Sequence, residues 1–425
     1  MSQVTPRQIS PLSWEALATF APAEPDRIEG LTNAQATLRL FGQEASAVRV
    51  TLYRDHHAWC PYCQKIWLWL EEKRIPYRIR KVTMFCYGEK EAWFRRLVPS
   101  GMLPALELDG KVLTESDRIL ASLEAAFGCL HSGLEDPAVR PLRQLERVLF
   151  QAWCQWLCQP VRSLDQDQRH QAVFNEVARR VERALEESEG PYFLEALSCV
   201  DTIFVPYLER MNASLAYYKG YDLRRQHPAI HRWFEALERR PTYLGTQSDF
   251  HTHAHDLPPQ MGGCFANGSP AQRSMAARID LALTPWDPPE GESSQPVPAG
   301  AAAVALGRVL QHRTPLLQRN PLGAERFDPA LRSALSLLIN GEECPPPAGT
   351  AAGLRYLRDR ISVPRDMPLH SARLLRLALE RTARLDPSDP EGAGIPLPLQ
   401  HRRDQDPRPF LPASSSAAAG AQPTT

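Results

Sequence analysis

Val48-Arg-Val-Thr-Leu-Tyr53, with Trp59-Cys60-Pro61-Tyr62-Cys63 just beyond it and Gln64-Lys-Ile-Trp-Leu-Trp-Leu-Glu-Glu-Lys73 following directly, is the stretch on which the fold turns. The first run alternates with the period of a strand, and the last carries Ile66, Trp67 and Leu70 at helical spacing. A Cys-x-x-Cys pair therefore opens a helix. Pro61 suits the first helical position, where a missing N–H costs nothing, which puts Cys60 near the N-cap and Cys63 one turn inside. Unpaired N–H groups and the positive end of the helix macrodipole favour Cys60 as the thiolate nucleophile. Cys63 reads as the less exposed, resolving partner.

Two blander readings compete with thiol chemistry. A closed zinc site needs four ligands; the other close cysteine pair, Cys154 and Cys158, belongs to a helical run with Trp153 and Trp156 that reads as core. A structural disulfide is disfavoured by nine cysteines spread over 425 residues, which points to a reducing compartment. The first residues carry Glu15, Glu24 and Asp26 and lack an apolar signal segment, and no window approaches about 18 uninterrupted apolar residues. The expectation is a cytoplasmic protein. Balanced charge, 49 basic against 49 acidic residues, argues against nucleic-acid or membrane partners.

Residues 1–46 read as an irregular extension with one short helix from Ser13 to Phe20. From Val48 the pattern continues through a strand-like run Tyr77–Met84, a helix from about Glu89 to Leu97, a break at Pro99-Ser100-Gly101, short strands Ala105–Leu108 and Lys111–Leu113 about the turn Asp109-Gly110, and a helix Asp117–Phe127 opened by Ser116. The order is βαβαββα. After Asp136-Pro137 the chain is helical at about 138–158, 166–188, 199–218 and 228–239, with Ser198 and Asp201 at capping-box spacing. Asp201 is read as structural.

That order, the Cys-x-x-Cys on the first helix, Pro104 before the third strand and Glu115-Ser116 before the last helix together resemble the thioredoxin-like N-terminal domain of glutathione transferases over about residues 47–130. The capping box and the helix from Ser198 to Pro206 resemble the family's helical C-terminal domain, carried to about residue 250. The fold class implied is an α/β thioredoxin-like domain plus an all-α transferase domain. Residues 251–386, with Pro-rich linkers such as Thr284–Gly300, read as a further α-helical appendage, and 387–425 as a disordered tail.

The resemblance implies glutathione as co-substrate. Pro104 would be a cis-proline that turns the Leu103 backbone toward the cysteinyl part of glutathione. Ser116 and Glu115 would hold the γ-glutamyl carboxylate and ammonium. Lys90, fourteen residues before Pro104, would sit near the glycyl end, with Arg95 and Arg96 as alternatives. His56 and His57 are further candidates for proton donation at the mouth of the site, although loop histidines more often have no such role. With cysteine where conjugating classes carry Tyr or Ser, the chain resembles the omega, lambda and dehydroascorbate-reductase classes, and Cys-Pro-Tyr-Cys is also the glutaredoxin motif.

The expected function is a glutathione-dependent thiol transferase that reduces mixed disulfides or small oxidants through a Cys60–S–SG intermediate. Its partners would be glutathione and a small molecule or glutathionylated protein, and a homodimer is compatible with the family. A non-catalytic adaptor of the same fold, or an isomerase resembling the prostaglandin E synthase of that fold, are the alternatives. No metal is expected. His251-Thr-His253-Ala-His255, with Asp249, Asp256 and Cys264 nearby, would bring its imidazoles to one side of an extended chain, but reads more simply as a polar loop.

Overall fold

The computed structural model describes residues 10–281, 291–293 and 295–388. Five strands, β1 (Leu38–Arg39), β2 (Val50–Asp55), β3 (Tyr77–Val82), β4 (Ala105–Leu108) and β5 (Lys111–Thr114), form one sheet in the order β1-β3-β2-β4-β5. β2 and β3 run parallel, with Val50 opposite Tyr77 and Asp55 opposite Val82; the other pairings are antiparallel. A short helix α1 (Trp14–Ala18) precedes the sheet, and α2 (Pro61–Lys73), α3 (Ala92–Leu97) and α4 (Ser116–Phe127) connect and cover it. This is a thioredoxin-like sheet in the βαβαββα order, with β1 added at one edge.

The helical half follows as α5 (Val139–Leu157), α6 (Leu164–Glu186), α7 (Cys199–Lys219), α8 (Leu223–Gln226), α9 (Pro228–Leu237), α10 (Pro241–Thr246), α11 (Phe250–Met261) and α12 (Pro270–Leu281). Every residue of α7 is buried, as expected of a central helix enclosed by others. Its capping box is formed: Asp201 Oδ2 accepts from Ser198 N at 2.9 Å, and Oδ1 accepts from the Trp233 indole at 2.9 Å. α2 is enclosed between sheet and α7, so Ile66, Leu68 and Leu70 are each fully buried, worth about 1.5–3 kcal/mol apiece. Its polar residues are buried with partners. Glu71 receives Arg39 Nε at 3.0 Å, the Tyr77 hydroxyl at 2.7 Å and the Thr32 hydroxyl at 2.8 Å.

Those last contacts correct the expectation of an irregular N-terminal extension. Residues 32–39 pair and pack against the sheet, and Leu17 of α1 is buried in the core of the C-terminal helices α13 (Ala301–Gln311), α14 (Arg313–Arg319), α15 (Ala324–Asn340), α16 (Ala351–Arg358) and α17 (Leu369–Arg384). Trp14 Nε1 donates to Asp328 at 2.7 Å, and Leu12 N donates to Ser336 Oγ at 2.8 Å. The short helix read from Ser13 to Phe20 is α1; a two-residue strand carries too little periodicity to be read without the edge it meets.

The appendage expected from residue 251 also begins later. Phe250, Ala254, Leu257, Met275 and Ile279 belong to the core shared by the sheet and α4–α9, whereas a separate core starts at α13. Accordingly the segment with His251, His253 and His255 is not a polar loop but the buried helix α11, capped by Asp249, whose carboxylate accepts from Thr252 N at 2.9 Å. The helix contains two prolines, Pro258 and Pro259. They fall in its last turn, and the Ala254 carbonyl that Pro258 cannot serve accepts instead from the Tyr218 hydroxyl at 2.7 Å. Among the described residues no helix is long and apolar enough to cross a membrane. Residues 389–425 of the expected tail, and residues 284–290 and 294 of the linker, lie outside the described residues.

The C-terminal helices dock through buried polar contacts. Arg376 ion-pairs with Asp249 and donates to the Ile361 carbonyl at 2.7 Å, while Val363 N donates to Thr252 Oγ1 at 3.1 Å and Ser248 Oγ donates to the Val363 carbonyl at 2.5 Å. Burial alone would raise the Asp249 carboxyl; the Arg376 guanidinium and the Thr252 hydrogen bonds outweigh it and hold the group below its ordinary value. Because the folded-state value is depressed, this stabilisation is present above the unfolded value of about 3.9 and is lost as pH falls through the folded one. Arg376→Ala should cost about 3–5 kcal/mol at neutral pH by leaving a buried carboxylate unpaired. In denaturation series the difference from wild type should shrink below about pH 4.

Candidate functional site

Cys60 is the N-cap of α2 with Pro61 at the first helical position, and Gln64 N donates to the Cys60 carbonyl at 3.0 Å to start the helix. The preceding turn is held from both sides. Trp59 N donates to Asp55 Oδ2 at 2.7 Å, and the Trp59 carbonyl accepts from Arg210 Nη2 at 2.5 Å. The Trp59 indole stacks on His57 with centroids 4.4 Å apart and meets the Tyr87 ring edge-on at 5.1 Å. Cys60 Sγ lies 4.0 Å from the carbonyl oxygen of Leu103, and the Leu103–Pro104 peptide is cis. Cys63 is buried one turn inside. Burial first, and then its hydrogen bond to Cys60, push its thiol well above the ordinary range.

Beneath the pair lies Asp55, at the end of β2. One ligand atom from each of Asp55, Cys60 and Cys63 lies within 4.8 Å of the others, and Asp55 Oδ1 is buried with no hydrogen-bond partner among the described residues. Sequence reasoning missed this carboxylate. Its available signal was a charged residue closing an apolar strand five positions before the cysteine. Two of the three donors, Cys60 and Cys63, are the zinc half-site weighed from the sequence.

Two cavities meet at the motif. One, of about 360 Å3, is polar and is lined by Glu115, Ser116, Asp117, Lys65, Arg143 and Arg147, among others. Lys65 Nζ bonds Asp117 at 2.6 Å, and Arg143 reaches the same carboxylate at 3.0 Å. Burial pulls the Lys65 ammonium below its ordinary value, and Asp117 partly restores it. Glu115, at the N-cap of α4, has φ 66° and makes no side-chain cap hydrogen bond, so its carboxylate is presented to the cavity. The other cavity, of about 270 Å3, is mostly apolar and contains Cys60, Lys90 and Leu103 with Met84, Phe150, Trp153 and Met261. Tyr62 and Tyr207 line both, their rings 6.1 Å apart and edge to face. An extended molecule with charged ends and a central thiol can thus lie in the polar cavity and bring its sulfur to Cys60.

Lys90 is half-buried on the apolar side, its ammonium donating to the Thr83 carbonyl at 2.8 Å. Burial lowers it, and the two thiols of the motif favour its charge. Gly101 is required there: its φ is +65°, and a Cβ would stand 3.1 Å from Lys90 Cδ. Arg95 and Arg96 are exposed on α3 and line neither cavity. His56 is exposed beside Glu91 at 3.3 Å and His57 is stacked under Trp59; neither lines the cavities either. Cys154 and Cys158 pack at the edge of the main core, as expected from their helix.

Residues 59–126 match the model for the glutathione S-transferase N-terminal domain, and residues 148–245 match that for the glutathione S-transferase C-terminal domain. The chain is 25% identical over 193 residues to glutathione S-transferase DHAR2 of Arabidopsis thaliana, covering 44% of this chain and 84% of that protein. It is 27% identical over 196 residues to glutathione S-transferase L3 of the same plant, covering 45% and 79%. Among solved structures, glutathione transferase Omega 3C from Trametes versicolor is 30% identical with a TM-score of 0.40, over 47% of this chain and 85% of that one. Through its thioredoxin-like half and the helical half packed on it, the chain belongs to the glutathione S-transferase family.

Proposed function

We propose that the protein is a cysteine-type glutathione transferase acting as a glutathione-dependent thiol transferase. The observation that carries this is the position of Cys60: a thiol at a helix N-terminus, 4.0 Å from the Leu103 carbonyl, where a polar cavity opens into an apolar one. That sulfur stands at the positive end of the α2 macrodipole, and the Lys90 ammonium lines the same cavity. The resemblance to proteins named DHAR2 and L3 supports the same reading.

In the first step the Cys60 thiolate attacks the glutathionyl sulfur of a mixed disulfide R–S–SG. The Cys60–S–SG bond forms, the RS–SG disulfide bond breaks, and the thiolate RS⁻ leaves with the electron pair and takes a proton from water. In the second, a glutathione thiolate attacks the glutathionyl sulfur of the adduct, releasing oxidised glutathione and restoring the Cys60 thiolate. Cys63 offers a second exit by attacking the Cys60 sulfur, which expels glutathione and leaves a Cys60–Cys63 disulfide. Burial keeps the Cys63 thiol protonated, so this exit requires an acceptor for its proton. Asp55 is that acceptor, because one of its carboxylate oxygens lies within 4.8 Å of both sulfurs. The monothiol route is accordingly the faster one at neutral pH.

In the polar cavity, Ser116 and the N–H groups at the start of α4 bind the γ-glutamyl carboxylate and Glu115 faces its ammonium, and in the adjoining apolar cavity the Leu103 backbone pairs with the cysteinyl part. Lys90 receives the glycyl end.

Glutathione-dependent reduction of a small mixed disulfide, with adduct trapping by mass spectrometry, tests the assignment. Cys60→Ser should abolish turnover and adduct; Cys63→Ser should retain turnover and accumulate glutathione on Cys60. Turnover surviving in Cys60→Ser would overturn the mechanism. Ser116→Ala, which removes a hydrogen bond to a charged group worth about 1.5–3 kcal/mol, should raise KM for glutathione roughly 10- to 150-fold and leave kcat less affected. Asp55→Asn keeps an acceptor for Trp59 N. It should slow conversion of the trapped adduct to the Cys60–Cys63 disulfide without slowing adduct formation, in stopped-flow quench experiments.

A further inference from the structure

The helix α11 separates its three histidines. His253 faces α7, its Nε2 2.8 Å from Glu209 Oε1, and is accounted for by that buried contact. His251 and His255, one turn apart, share the opposite face with ring centroids 4.8 Å apart. Asp280, in the last turn of α12, meets them there: its Oδ1 is 2.7 Å from His255 Nε2, and one ligand atom from each of the three residues lies within 4.8 Å of the others.

We propose that His251, His255 and Asp280 form a binding site for a divalent cation of the zinc class. Imidazoles at i and i+4 on one helix face, joined by one carboxylate, are a donor set suited to borderline cations such as Zn2+, Co2+ or Ni2+. Ligands about 2.0–2.1 Å from a tetrahedral zinc stand roughly 3.3 Å apart, and the three donors lie within 4.8 Å of one another. Asp280 is oriented for this by a supporting contact: its Oδ2 accepts from the Tyr217 hydroxyl at 2.8 Å, as outer-shell donors orient ligating carboxylates. Both imidazoles are buried, whereas the Asp280 side chain is 34% exposed, leaving the fourth position open to water from solvent.

The site has a consequence for the pocket. α11 also supplies Leu257, Gln260 and Met261 to the apolar cavity beside Cys60. A cation held by His251, His255 and Asp280 ties α12 to α11 and so stiffens that wall.

The test uses the full chain carrying Cys60→Ser and Cys63→Ser, which removes the other donor set that includes Asp55. After treatment with a chelator, the protein is titrated with Co2+ and, by equilibrium dialysis, with Zn2+. The expected result is one equivalent bound, with the visible absorption of tetrahedral Co2+ and without the ultraviolet charge-transfer band of a thiolate ligand. Asp280→Asn, which preserves the shape and the hydrogen bonds of α12, should weaken binding more than about a hundredfold, and Tyr217→Phe about tenfold. Circular dichroism of each variant confirms that it is folded. Absence of stoichiometric binding, a thiolate band, or binding unchanged in folded Asp280→Asn would each overturn the proposal.

Discussion

The buried guanidinium of Arg210 joins the parts on which the rest of this structure depends. From the middle of α7 it donates to the Trp59 carbonyl, to Gln64 Oε1 at 2.8 Å and to the Pro206 carbonyl at 2.7 Å. The helical half thereby holds the turn that presents Cys60 and the first turn of α2 together. Its neighbour Glu209 extends the network, accepting from Ser248 N at 3.1 Å and meeting His253 at 2.8 Å. Ser248 in turn reaches the Val363 carbonyl. A charged network buried among sheet, α7, α11 and the C-terminal helices is costly unless every member is satisfied, so the relative placement of these elements is narrowly specified.

Within that frame the two cysteines are given different environments by one helical turn. Cys60 sits at the helix N-terminus, at the junction of two cavities; Cys63 is enclosed among Trp59, Met84, Cys86 and Tyr87. The same short motif therefore supplies two buried cysteines, of which Cys60 lines the cavity and Cys63 does not. The carboxylate of Asp55 below them accepts from Trp59 N through Oδ2, and it has an oxygen within 4.8 Å of both sulfurs.

The C-terminal helices are not remote from this chemistry. The loop between α16 and α17 places the Arg365 guanidinium 5.6 Å from the centre of the Trp59 ring, and Gln35 of the N-terminal segment donates to the Arg365 carbonyl. Together with the packing of Leu17 against α13 and α15, these contacts make the two ends of the described chain part of one support around the motif.

By itself the sequence determined what local rules encode. The alternation from Val48, the proline at Pro61 and the helical spacing of Ile66, Trp67 and Leu70 placed Cys60 at a helix start, and the order of elements with Pro104 and Glu115-Ser116 was enough to identify the family's architecture. Long helices such as α5, α6 and α17 were legible because their apolar faces repeat over several turns. The tertiary structure alone decided the rest. α11 is a helix because Asp249 caps it and the Tyr218 hydroxyl takes the carbonyl that Pro258 abandons, and both are facts of packing. β1 exists because β3 offers it an edge, and Asp55, Lys65, Arg143 and Tyr207 enter the site because chain segments distant in sequence converge there. Periodicity reports which face a segment buries, and only the fold determines what that face meets.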